Sequence, residues 1–207
     1  MVAALILAAG TSSRFGANKL LLAFGDTTVV GMTVAHALRS RAHPVLVVTG
    51  HEQPAVAQAL AGLPVSLAHN PDYQAGEMLS SIQAGLRYLM QNDSTPDAVL
   101  MVLADQPLTP PAVFNRLITA FEFGCGEIIA PRFRHDGPRG HPVLIARRQW
   151  PDVLALPPGA NVRDLLKARP SVVTHLAVTT DTILRDVDTP EAYQEALICL
   201  TKRPSSF

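Results

Sequence analysis

Two short runs constrain the fold of this chain most: "VLVV" at 45–48 and "AVLMVL" at 98–103 are apolar at every position. A strand without polar alternation is buried on both faces, the condition of a parallel sheet covered by helices on each side. Similar runs predict strands at Val2–Leu7, Pro44–Thr49, Val65–Ala68, Ala98–Leu103, Ile128–Ala130, Pro142–Ile145 and Val172–Leu176. Helical spacing falls between them, at Val29–Arg39, Pro54–Leu60, Leu79–Met90, Pro110–Phe121, Arg163–Ala168 and Pro190–Leu200. Thr109 and Thr189 read as N-caps ahead of prolines in the first turn. The alternation predicts an α/β, doubly wound, mostly parallel sheet. After residue 125 the rhythm breaks into "PRFRHDGPRGHPV" (131–143) and "ALPPGANVRDLL" (155–166), expected to be long loops or a small antiparallel hairpin attached to the sheet.

The chain has 207 residues, 48% of them hydrophobic, enough for one sizeable core, so a single domain over 1–200 with a tail at 201–207 is expected. Seventeen basic and seventeen acidic residues cancel, which argues against nucleic acid or an acidic membrane as partner. The apolar stretch Val2–Ala9 is too short to span a bilayer and lacks the basic residues that precede a secretory core, the first charge being Arg14. Cys125 and Cys199 have no metal-ligand spacing and form no disulfide framework. A cytoplasmic enzyme is the resulting expectation.

Five stretches carry chemistry. In "LAAGTSSRFGANK" a strand ends at Gly10 in a polar loop bearing Arg14 and Lys19. Neither a P-loop nor a dinucleotide fingerprint fits, since no Gly-Lys-Ser/Thr and no G-x-G occurs. Two cations on a glycine-bounded loop suit a triphosphate, and equally a solvated connection. "VLADQP" delivers Asp105 at the carboxyl end of a strand, suited to Mg²⁺ or to capping a turn. In "DVDTPE", Asp186 or Asp188 supplies a second carboxylate, or caps the last helix. "GPRGHP" gathers Arg139, Gly140 and His141 in a turn fit for an anionic substrate, or merely an exposed β-turn. Ser80 and Ser81, near a helix start, suit a base or sugar, or capping.

Taken together, in this order and over nearly the whole chain, these stretches resemble the small nucleotidyltransferases that attach a nucleotide to the molybdopterin cofactor. "LAAGTSSRFGANKLL" is similar to their L-A-[AG]-G-x-S-x-R-[MF]-G-x-x-K-L-L signature, and "RGHP" with "DVDTP" narrows it to the pterin branch, the molybdenum cofactor cytidylyltransferases. The resemblance implies a Rossmann-like nucleotidyltransferase fold and transfer of CMP from CTP to the cofactor's phosphate, with Mg²⁺ and release of pyrophosphate. It implies Arg14, Lys19 and Asp105 as catalytic residues. The nucleotide would lie against Leu7, Ala8, Ala9, Gly10, Arg14, Lys19, Ser80 and Ser81. Arg139, Gly140 and His141 would bind the pterin substrate, and Asp105 with Asp188 would hold the metal. Ala9, where guanylyl-transferring relatives tend to carry glycine, leans toward CTP. The alternatives are a guanylyl or other nucleotidyltransferase with a different phosphorylated acceptor, and a cofactor-binding chaperone for a molybdenum hydroxylase. A transient contact with such a hydroxylase fits either.

Overall fold

The doubly apolar runs become the middle of a seven-stranded sheet. A computed structural model of the chain describes residues 1–11, 15, 17–74, 77–91 and 95–201. Its strands are β1 (Val2–Ala8), β2 (Ala23–Phe24), β3 (Thr27–Thr28), β4 (Val45–Thr49), β5 (Ser66–His69), β6 (Ala98–Leu103), β7 (Ile128–Phe133), β8 (Val143–Ala146) and β9 (Val173–Val178). Its helices are α1 (Val29–Leu38), α2 (Gln53–Ala59), α3 (Glu77–Met90), α4 (Pro111–Glu122), α5 (Trp150–Leu154), α6 (Val162–Ala168) and α7 (Pro190–Thr201). The sheet order is β5-β4-β1-β6-β8-β7-β9, and only β8 runs against its neighbours.

Side chains alternate across each strand, so the sheet has two buried faces. Ala4, Ile6 and Ala8 of β1 pack with α1, α4 and α7 on one face. Ala3 and Leu5 pack with α3, α5 and Val162 of α6 on the other. Phe114 and Trp150 are fully buried, one in each layer, whereas Phe123 is exposed. Among the described residues no helix is long and apolar enough to cross a membrane.

Most expected elements fall within a residue or two of their observed bounds. The second half differs more. The expected hairpin is not attached to the sheet but built into it: β8 inserts between β6 and β7, pairing Met101 with Val143 and Ile129 with Leu144. The β2–β3 ladder and α5 were not expected, being shorter than any periodic signal. Thr109 does not cap α4. Pro110 takes that position, and the Thr109 hydroxyl instead donates to the Thr182 carbonyl at 3.0 Å. Thr189 does act at the last helix, accepting from the Ala192 N–H at 3.2 Å.

The strands β4 and β5 lie to one side of β1, and β6 lies to the other. Chain order therefore reverses between β1 and β6, the place where open α/β sheets bind ligands beyond the carboxyl ends of their strands.

Candidate functional site

At this switch point Leu7 pairs with Leu103, and the Ala104 N–H donates to the Leu7 carbonyl at 3.2 Å. The residues that follow, Ala8–Gly10 and Ala104–Asp105, therefore leave the sheet side by side. They border a cleft of about 590 Å³ whose walls include Leu7, Ala9, Gly10, Thr11, Lys19, Ser81, Asp105 and Asp188. Ala8 turns its side chain into the core instead. A Cβ added at Gly10 would meet no protein atom within 4 Å, so packing does not demand glycine here. It would project into open space beside the cleft wall. Arg14 and Gly76 lie outside the described residues.

The centre of the cleft is a charge cluster. The Lys19 ammonium bridges the carboxylates of Asp105 and Asp188, three residues far apart in the sequence. Asn18 begins the short helical turn that carries Lys19, its side chain accepting from the Leu20 N–H at 3.1 Å. Burial acts to lower the Lys19 pKa, but the two carboxylates outweigh it and the net shift is upward. The lysine is thus held charged.

Gln106 and its neighbours bring the two carboxylates together. The Val187 N–H donates to the Asp105 carbonyl at 2.9 Å. The buried Gln106 amide donates to the Asp186 carboxylate at 2.5 Å and to the Ile183 carbonyl at 3.3 Å. Asp186 is thereby turned to Gln106, while Asp188 faces the cleft. Burial raises the Asp186 pKa, with the charges of Asp105 and Asp188 adding to the shift. Sequence reasoning gave Gln106 no role, although it sits within the "ADQP" motif.

Asp105 Oδ1 is buried and has no hydrogen-bond partner among the described residues. Two carboxylates meeting at one cationic position, with a further oxygen of Asp105 not engaged there, form a hard donor set that fits Mg²⁺ or a similar divalent ion.

Arg139, Gly140 and His141 do not line this cleft; they lie in the loop just ahead of β8. The loop is pinned by the His141 N–H to the Ile183 carbonyl and the Gly140 N–H to the Pro131 carbonyl, each at 3.0 Å. Burial lowers the His141 pKa, only partly offset by its hydrogen bond to the Met101 backbone and by the nearby charge of Asp105, with Arg163 pushing the same way as burial. His141 is therefore held neutral, not as a cation, and its Nδ1 is buried without a partner. The two serines separate. Ser81 is buried and borders the cleft, whereas Ser80 lines a different hollow beside β5. Asn70 joins them, its amide donating to Ser80 Oγ at 2.9 Å and to Ser81 Oγ at 3.0 Å. Both serines lie inside α3, so neither is a cap.

Known proteins resemble this chain over nearly its whole length. The molybdenum cofactor cytidylyltransferase of Escherichia coli (strain K12) is 26% identical over 192 residues, covering 91% of this chain and 92% of that protein. The nicotine blue oxidoreductase of Paenarthrobacter nicotinovorans is 29% identical over 198 residues, with 92% and 93% covered. The crystal structure of Rv0371C in complex with manganese, from Mycobacterium tuberculosis H37Rv, superposes with a TM-score of 0.77 at 27% identity, covering 95% of this chain and 98% of that one. The model of the MobA-like NTP transferase domain matches residues 4–173, a span that takes in Lys19, Asp105 and the Arg139–His141 loop and stops short of Asp188. The chain belongs to the MobA-like NTP transferase family.

Proposed function

We propose that the protein transfers CMP from CTP to the phosphate of the molybdopterin-molybdenum cofactor, forming the cytosine dinucleotide cofactor and pyrophosphate. The observation that carries this reading is the convergence of Lys19, Asp105 and Asp188 at the sheet's switch point, in a cleft that Ala9, Gly10 and Thr11 also border. An oxygen of the acceptor phosphate attacks the α-phosphorus of CTP. The new P–O bond forms there while the bond to the β-phosphate oxygen breaks, and pyrophosphate leaves with the electron pair. Such a transfer needs positioning and charge neutralisation rather than a protein nucleophile.

The backbone at Leu7, Ala9 and Gly10 orients the nucleotide, with Arg14 and Lys19 as charges for the triphosphate. Asp105 and Asp188 hold Mg²⁺, which when bound offsets the charge on the phosphates; the manganese complex of a relative supports divalent-metal use. Ser81 faces the nucleotide, and Ser80 supports it through Asn70. Arg139, Gly140 and His141 meet the acceptor. Ala9, small and against the cleft, favours CTP, as does the E. coli relative. The product could then pass directly to a molybdenum hydroxylase.

The test is pyrophosphate release with CTP, GTP, ATP and UTP, each with and without the pterin cofactor. CTP with the pterin is expected to give the fastest release. Preference for another nucleotide, or for a sugar phosphate as acceptor, would replace the specific assignment. Consumption of a redox cofactor without pyrophosphate would favour the chemistry named for the nicotine blue relative.

A further inference from the structure

A second group of polar residues lies outside the cleft, on neighbouring positions of β7 and β9 and the loop between β7 and β8. His175 pairs with Ala130, and Arg132 pairs with Ala177. Directly paired residues of neighbouring strands point to the same face. His175 and Arg132 therefore both project on the face where Ala130 packs, over the layer that contains Val162. Arg139 is bridged in antiparallel fashion to Arg132. Two glycines make this approach possible: a Cβ at Gly137 would fall 1.9 Å from the Phe133 carbonyl oxygen, and one at Gly140 would fall 2.2 Å from that of Ile183. The loop is thus built to lay Arg139 against Arg132.

The ion pairs among the described residues engage Arg41, Arg147, Arg148, Arg169 and Arg185, and leave both of these guanidiniums without a carboxylate. Arg132 Nε is buried and has no hydrogen-bond partner. Burial lowers the His175 pKa, and the charges of Arg132 and Arg139 lower it further. Two arginines bridged through their backbones, with no carboxylate among the described residues to pair them, present fork-shaped donors that match the oxygens of a phosphate-type anion.

We propose that Arg132, with Arg139 and His175, forms a binding site for a second anionic group of the acceptor, apart from the phosphate that attacks. None of the three borders the cleft that holds Lys19, Asp105 and Asp188. The group bound here is a tetrahedral oxyanion or a comparable dianion, and it anchors the far end of the acceptor while the reacting phosphate reaches the cleft. This extends the proposed function in that it takes the acceptor to be phosphorylated. It also predicts that the acceptor carries at least two anionic groups.

The test titrates inorganic phosphate into the full chain and follows the His175 ring resonances by NMR, in the wild type, Arg132→Met and Arg132→Lys. A saturable shift is expected in the wild type, weakened about tenfold in Arg132→Met, the loss of one charge-assisted hydrogen bond, and partly restored in Arg132→Lys. Thermal melting confirms that each variant is folded, with Arg132→Gln as the substitute if the methionine variant is not. In turnover, Arg132→Met is expected to raise the KM for the acceptor about tenfold and leave that for CTP within about twofold. A His175 signal that ignores phosphate, or that responds equally in Arg132→Met, overturns the site. The NMR arm needs neither CTP nor pterin, so it stands if the nucleotide assignment fails. Conversely, active pterin transfer with an unmoved His175 signal removes this site alone.

Discussion

On its β1 side the cleft is walled by Leu7, Ala9, Gly10 and Thr11, small groups that leave backbone and open space to meet a ligand. On the β7–β9 side the chain offers Arg132 from β7, His175 from β9 and Arg139 from a loop fitted by two glycines against neighbouring carbonyls. In the proposed reading one flank would meet its ligand by shape, the other by side-chain charge. Lys19, Asp105 and Asp188 stand closer to the first flank, and His141 links the two, near both Asp105 and Arg163. The contrast teaches how one sheet edge can hold two unlike substrates: each flank can change without disturbing the other, provided the charge cluster stays in place.

The largest effect should come from that cluster. Asp105→Asn keeps the side chain's shape and the backbone bond to Val187 while removing the charge that faces Lys19. Turnover is expected to fall on the order of 10²–10³-fold, with the melting temperature little changed. Unchanged turnover would remove Asp105 from the reacting centre. A smaller effect should come from the β1 flank alone. At Gly10 a Cβ meets no protein atom, so Gly10→Val is expected to fold while its methyls take up nucleotide space. Its KM for CTP is expected to rise about tenfold, as lost uniform binding would give, with the KM for the acceptor unchanged. This mirrors Arg132→Met on the other flank. If either variant moved both constants together, the two flanks would not be separate.

The residues at strand ends were the legible part of this molecule. "VLADQP" and "LILAAG" announce their strands by composition, and the topology of a parallel sheet then carries Asp105 and Gly10 to one edge. The insertion of β8 was not legible, because antiparallel pairing with both β6 and β7 depends on contacts dozens of residues apart that no local period records. Gln106 was missed for a similar reason: its value lies in reaching Asp186 and Ile183, about 80 residues later. Arg132 and His175 escaped notice because each looks like an ordinary polar residue near a strand end. Only the β7–β9 register places them on one face. The reading of the Arg139–His141 turn as merely exposed missed the burial of the His141 ring, which a motif cannot show.

In the proposed reaction the acceptor attacks the α-phosphorus of a nucleotide bound against Lys19, Asp105 and Asp188. The most direct test incubates the enzyme and the pterin cofactor with CTP labelled at either the α- or the γ-phosphorus. The expected result is α-label in a cytidine dinucleotide product and γ-label in pyrophosphate, both abolished in Asp105→Asn. Gamma-label on the acceptor, or no label transferred from CTP at all, would contradict it.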